Sequence, residues 1–121
     1  DRQAEADLMP EATRQGTEIV VAGVFNSGIL AAGPEAAGTT YDYGAPPPEV
    51  VARARRIASI CAAHDVPLQA AAIQFPLRHP QVSAAVLGMS RPERVGENLA
   101  WSRHPIPPSF WQALEEDRVS P

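Results

Sequence analysis

Lysine is absent from this 121-residue chain, and its ten basic side chains are all arginine. Within these residues that excludes any mechanism built on a lysine amine: a Schiff base, the phosphate clamp of a P-loop, an ammonium proton relay. Cysteine is reduced to Cys61, so no internal disulfide can form, and the expected setting is a reducing cytoplasm. No apolar run comes near the roughly 20 residues that cross a bilayer, and no membrane is expected as a partner. A basic-then-apolar leader is also lacking, which leaves secretion unsupported. The 14 carboxylates outnumber the arginines to give a net charge of −4, with no basic cluster, so nucleic acid is not expected as a partner. His64, His79 and His104 have no metal-ligand spacing with one another or with Cys61.

What is present reads as a folded domain. Apolar residues make up 45% and charged residues 20%, the balance of a globular chain rather than a disordered one. The length suits one domain of ordinary size. Abundant alanine, with arginine in place of lysine, fits a GC-rich bacterial genome. Because the sequence starts at Asp1 and reaches its first methionine at Met9, it is expected to be a processed piece or an excerpt of a longer protein.

The pattern along the chain alternates helix with strand. Residues 4–15 place Leu8, Met9 and Ala12 near one helical face, with Gly16 as the stop. Residues 18–24 form a β-branched apolar run with almost no alternation, which predicts a strand covered on both sides. A Gly-, Ala-, Pro- and Thr-rich loop follows from Phe25 to Pro48, long enough to suggest function. The next helix, residues 49–64, gathers Val50, Ala54, Ile57, Ala58 and Cys61 into a stripe. Another starts after Pro67 and is expected to stop ahead of Pro76. Residues 82–87 read as the second strand. Ser90 and Glu93 then read as a capping box opening a helix to about Trp101, with Val95 and Leu99 facing inward. A last helix carries Phe110, Trp111 and Leu114 on its apolar side. This order implies right-handed βαβ crossovers and a parallel sheet. Two strands cannot sustain such a sheet alone, so further strands, from the same protein or another chain, are expected beside them.

In parallel α/β architectures ligands lie at the carboxyl ends of the strands. Two segments qualify. Asn26, Ser27 and Gly28 offer small polar groups on a bend right after the first strand, as a phosphate site or an ordinary turn. Gly88, Met89, Ser90, Arg91 and Arg94 surround a helix start after the second strand. The dipole and the guanidinium groups there suit an anion, or belong to a solvated surface helix. Tyr41 and Tyr43 either touch a substrate or tether the long loop by packing. The histidines read as structural, and Cys61 as a buried small hydrophobe rather than a nucleophile.

Three stretches in order carry a family resemblance: Val20-Val-Ala-Gly-Val-Phe-Asn-Ser-Gly-Ile-Leu30, Gln74-Phe-Pro-Leu-Arg-His-Pro80 and Val86-Leu-Gly-Met-Ser-Arg-Pro-Glu-Arg-Val-Gly-Glu-Asn98. They resemble the carboxyl-terminal part of aldo/keto reductases, nearest a bacterial branch that includes L-fucose dehydrogenase, D-threo-aldose 1-dehydrogenase and pyridoxal 4-dehydrogenase. The resemblance runs through almost the whole chain. It implies the carboxyl-terminal portion of a (β/α)8 TIM barrel, with residues 18–24 and 82–87 as its last two strands. A whole barrel takes about 250 residues, so this portion is incomplete on its own.

By the same resemblance, Phe25, Asn26, Ser27 and Gly28 run along a dinucleotide pyrophosphate, and Gly88, Met89 and Ser90 border it. Arg94 faces the adenosine ribose or its 2′-phosphate, while Glu97 and Asn98 take the adenine amino edge. Tyr41 and Tyr43 join Phe25 in the substrate wall. The cofactor implied is NAD or NADP, and the substrate a small carbonyl compound or sugar. Two departures stand out. Gly23 occupies the position of a tyrosine that stacks on the nicotinamide in many members, and Gly88 or Met89 that of a lysine common in NADP-preferring ones. The family's catalytic Asp, Tyr, Lys and His set falls upstream of Asp1, so no catalytic residue is assigned here. Turnover is not expected of the chain alone. The competing expectation is a non-catalytic half-barrel that binds a nucleotide or partner and is stable only by self-association.

Overall fold

The computed structural model describes residues 3–119 as a helix-rich α/β unit with one two-stranded parallel sheet. It opens with a short helix α1 (Gln3–Ala6) and α2 (Leu8–Gln15), so the single helix expected over residues 4–15 is divided at Asp7. Gly16 ends α2 in the left-handed region at φ 66°, its amide bonding the Ala12 and Thr13 carbonyls. Met9 and Ala12 are buried on the inner face. Gln81 ties the end of this segment to the second strand: its side-chain oxygen accepts from the Thr13 hydroxyl at 2.9 Å, and its amide donates to the Thr17 carbonyl at 2.6 Å.

Strand β1 (Ile19–Ala22) and strand β2 (Val82–Val86) pair in parallel, in register Val20↔Ala84, Val21↔Ala85 and Ala22↔Val86. Both are shorter than the apolar runs that predict them. The expectation of a strand covered on both faces fails: Val20 and Val86 are 57% and 56% exposed, and Ala22 and Ala84 beside them are exposed too. One face of the sheet packs on helix, and nothing among the described residues covers the other.

Between the strands the long loop is less irregular than its composition suggests. A 3-10 turn (Asn26–Gly28) runs into a short helix α3 (Ile29–Ala32), and a two-residue hairpin closes at Tyr41 and Gly44. Pro48 then starts α4 (Pro48–Ala63) at its first position, where the missing amide costs nothing. α5 (Leu68–Leu77) continues through Pro76 instead of stopping before it. The ring falls in the last turn, which the Arg78 and His79 amides finish with tight bonds of 3.2 and 3.1 Å to the Phe75 and Pro76 carbonyls. α6 (Glu93–Ser102) and α7 (Pro108–Val119) complete the unit.

The principal core lies among α4, α5 and α7. Cys61, Val66, Ala71 and Phe110 are buried together, flanked by Ile57, Leu68, Trp111 and Leu114. Phe110 meets Trp111 edge-on at 4.9 Å, and the Arg78 guanidinium lies over the Trp111 ring at 4.3 Å. α5 also packs against β2 and α6. Its Gln74 side-chain amide holds the end of α6 by donating to the Trp101 and His104 carbonyls, both at 2.8 Å. Among the described residues no helix is long and apolar enough to cross a membrane.

Candidate functional site

Because β1 and β2 run parallel and adjacent, the segments leaving their carboxyl ends emerge on one side of the sheet. After β1 the backbone bends through Gly23 at φ 68°, Asn26 at 47°, Ser27 at 59° and Gly28 at 126°. A tyrosine at Gly23 would be strained in that conformation, so the glycine serves the bend. Ser27 is not a residue that favours it; a non-glycine held there costs on the order of 1–3 kcal/mol and persists only where its surroundings enforce it.

The surroundings are the far end of the same loop. The Thr40 hydroxyl donates to the Ser27 carbonyl. The Tyr43 amide donates to Ser27 Oγ at 3.2 Å, and the Ile29 amide donates to the Thr40 carbonyl at 3.1 Å. Phe25 is packed edge-on against Trp101 at 6.5 Å, which couples this turn to α6. Tyr41 is half-buried and lines, with Asn26 and Ile29, a largely apolar cavity of about 710 Å³ that reaches between α4 and α5. Tyr43 lies at the hairpin tip, 93% exposed.

After β2 the chain passes Gly88, Met89 and Ser90, all exposed. The capping box expected at Ser90 does not form. α6 starts at Glu93 behind Pro92, without a side-chain cap, and the Arg94 and Val95 amides bond the Arg91 and Pro92 carbonyls at 3.1 Å. That tight first turn moves the helix start past the reach of the Ser90 hydroxyl. Val95 and Leu99, expected to face inward, are exposed, and the buried position on α6 is Asn98. The helix thus buries its amide side chain and leaves its apolar pair largely exposed.

Asn98 is 4% exposed, and its Oδ1 is the one buried side-chain polar atom among the described residues that has no hydrogen-bond partner. It lines a pocket of about 250 Å³ with Ile73, Leu77, Leu87, Met89 and Leu99. An unpaired buried acceptor costs about 1–3 kcal/mol. On the same helix, Arg94 Nη1 and Glu97 Oε2, three residues apart, form an exposed ion pair at 2.9 Å. The structure therefore brings Asn26 to Tyr41 in one cavity and Met89 to Asn98 in another. Neither of these two cavities includes both groups.

The remaining reactive side chains have structural positions. Cys61 is buried, and burial pushes its thiol up to about 11. His64 packs edge-on against Phe110 at 6.0 Å and lies 3.3 Å from the Ser109 hydroxyl. His79 Nδ1 accepts from the Gln81 amide at 3.1 Å. Among the described residues no group of three or more His, Cys, Asp or Glu side chains is placed to hold a metal ion. Sequence reasoning passed over Thr40, which looks like any threonine of a Gly- and Thr-rich loop. It also passed over Trp101 as the partner of Phe25.

With this geometry in place, relationships to known proteins are informative. The aldo/keto reductase family profile matches residues 1–118. The chain is 44% identical over 117 residues to pyridoxal 4-dehydrogenase of Microbacterium luteolum, which covers 97% of this chain and 34% of that protein. It is 42% identical over 121 residues to D-threo-aldose 1-dehydrogenase of Pseudomonas sp, covering 100% of this chain and 37% of that protein. The chain spans about a third of the length of these curated relatives. The family match takes in both strands and both loops, and the chain belongs to the aldo/keto reductase family.

Proposed function

We propose that this chain is the carboxyl-terminal part of an NAD(P)-dependent reductase or dehydrogenase barrel acting on a sugar or a pyridoxal-like carbonyl compound, and that it supplies the dinucleotide grip. The observation that carries the reading is the orphaned Asn98 Oδ1 in a pocket at the carboxyl end of β2. A flat heteroaromatic ring with an exocyclic amino group offers the donor this oxygen lacks and the apolar faces that Leu87, Met89 and Leu99 accept. The residues present fit the adenine end of such a cofactor.

Asn26, Ser27 and Gly28 would lie along the pyrophosphate, with Phe25 holding their turn against α6 and Gly88, Met89 and Ser90 bordering it from the second strand. Arg94 would face the adenosine ribose or its 2′-phosphate, and Glu97 would join Asn98 at the adenine amino edge. When bound, the dinucleotide gives or takes a hydride at a carbonyl or lactol carbon. This chain's part is to bind and orient it, and proton transfer belongs to residues on strands outside the chain. Either NAD or NADP is compatible with Arg94 already paired to Glu97: a ribose hydroxyl can bond both partners, while a 2′-phosphate would compete with Glu97 for the guanidinium.

The uncovered face at Val20, Ala22, Ala84 and Val86 favours a second arrangement, in which another copy of the chain takes the place of the missing strands. Sedimentation of the isolated chain separates the two: a discrete folded oligomer supports the second, and aggregation supports a piece of a longer barrel. The cofactor reading is tested by Asn98→Leu in the full-length protein, with titration of NADH and NADPH fluorescence. Losing one hydrogen bond to the ring predicts affinity lower by about tenfold for both. Unchanged affinity for both would overturn the assignment.

A further inference from the structure

We infer that Ser27 and Thr40 are positioning residues that latch the Tyr41–Gly44 hairpin to the turn after β1, and that what they position is the Tyr43 ring, as a wall for a substrate with one flat or C–H-lined face. This rests on the reading of that turn as the cofactor side of a reductase site. Ser27 lies beside the phosphate-facing positions, and both its side-chain and its main-chain oxygen accept bonds from the far end of the loop. Its Oγ accepts from the Tyr43 amide at 3.2 Å, and its carbonyl accepts from the Thr40 hydroxyl. The Thr40 carbonyl in turn accepts from the Ile29 amide at 3.1 Å, so three bonds close residues 27–29 onto 40–43.

The hairpin they hold is a two-residue turn closed by Tyr41 and Gly44, whose reciprocal amide-to-carbonyl bonds measure 3.0 and 2.9 Å. Both central residues, Asp42 at φ 48° and Tyr43 at φ 62°, are left-handed. Turns of this kind are filled by asparagine, aspartate and glycine because those residues tolerate the conformation. Asp42 fits that preference and Tyr43 does not. Packing does not explain the tyrosine either, since its ring is 93% exposed. A bulky residue kept in a disfavoured conformation with its ring in water is what a contact with something outside the chain requires.

The base of the loop is anchored as well. Glu35 pairs with Arg55 of α4 at 2.5 Å, and Gln69 of α5 donates to the Ala31 carbonyl at 2.6 Å. The hairpin is therefore presented from a fixed platform beside the cofactor turn. An aromatic ring offered this way takes the face of an aromatic aldehyde, or the C–H face of a sugar ring, by flat or edge contact.

The test uses the full-length protein with NAD, and pyridoxal and L-fucose as trial substrates. Tyr43→Gly relieves the backbone and removes the ring, so it is expected to leave the unfolding temperature equal or higher while raising KM about tenfold, with dinucleotide affinity within about twofold of wild type. Thr40→Val is expected to raise KM severalfold and to speed hydrogen exchange at the Tyr43 and Gly44 amides, and Thr40→Ser to restore both. KM unchanged in Tyr43→Gly, or unchanged amide exchange in Thr40→Val, would overturn the inference. So would a Ser27→Ala variant that loses dinucleotide affinity at constant KM, because that would place Ser27 on the phosphate. Wild-type affinity for NADH reports separately on the cofactor reading.

Discussion

Two regions of the molecule treat their apolar residues in opposite ways. In the helical corner formed by α4, α5 and α7, Phe110 is fully buried and Cys61, Val66 and Ala71 close around it. In the sheet, Val20 and Val86 are more than half exposed, and on α6 Val95 and Leu99 are nearly so. The first region completes its packing with residues of this chain. The second carries apolar side chains and unpaired strand edges whose partners must come from elsewhere, because two strands do not hold a sheet by themselves. Both strand exits that carry the candidate site belong to the second region, so the site and the incomplete packing share one cause.

The largest expected effect is on the open face. Val86→Asp in the full-length protein would place a charge where the missing strands are expected to cover the sheet, and it is predicted to abolish folding, seen as loss of expression and of a cooperative thermal transition. Normal folding of that variant would mean that the face stays open in the complete protein. Phe110→Ala comes next. It removes a fully buried ring from the self-contained corner and is predicted to cost about 3–5 kcal/mol in denaturant unfolding.

Asn98→Leu carries a smaller effect of opposite sign. Replacing the amide, with its unpaired oxygen, by a side chain of similar size is predicted to stabilise the cofactor-free protein by about 1–3 kcal/mol while weakening dinucleotide binding. Destabilisation instead would show that Oδ1 has a partner in the complete fold. The smallest effect concerns Cys61. The fold raises its thiol to about 11, and the neutral form is the one it stabilises. Stability is therefore complete below the ordinary thiol range near 9 and falls as pH climbs from there toward 11, because the unfolded chain gives up the proton first. Cys61→Ala should flatten that fall, and alkylation of native protein at pH 8 should be slow.

Much of the arrangement was legible in advance where local chemistry decides it. The β-branched runs mark both strands, Gly16 marks a helix end, and the alternation of helix and strand implies parallel pairing. The errors fall where the outcome depends on neighbours. Hydrophobic periodicity turns Val95 and Leu99 inward, but periodicity identifies only an apolar face and not whether this chain has anything to cover it. The Ser90 pattern fits a capping box, yet a proline at position 92 and a tight turn starting at Arg91 set the helix start later. Pro76 reads as a stop, yet α5 continues through it into a tight last turn while packed against β2 and α6. In the candidate site, the loop positions were readable from the rule about strand ends and from the family motifs. The orphaned Asn98 oxygen and the Ser27–Thr40 latch were not, since each depends on contacts between distant segments.

The proposed function requires one dinucleotide to bridge the exits of β1 and β2. Hydrogen exchange of the full-length protein with and without NADH tests it most directly. The account predicts coordinated protection of residues 25–28 and 88–98, leaving the Phe110 corner unchanged. Protection of neither segment, or of one without the other at saturating NADH, would contradict it.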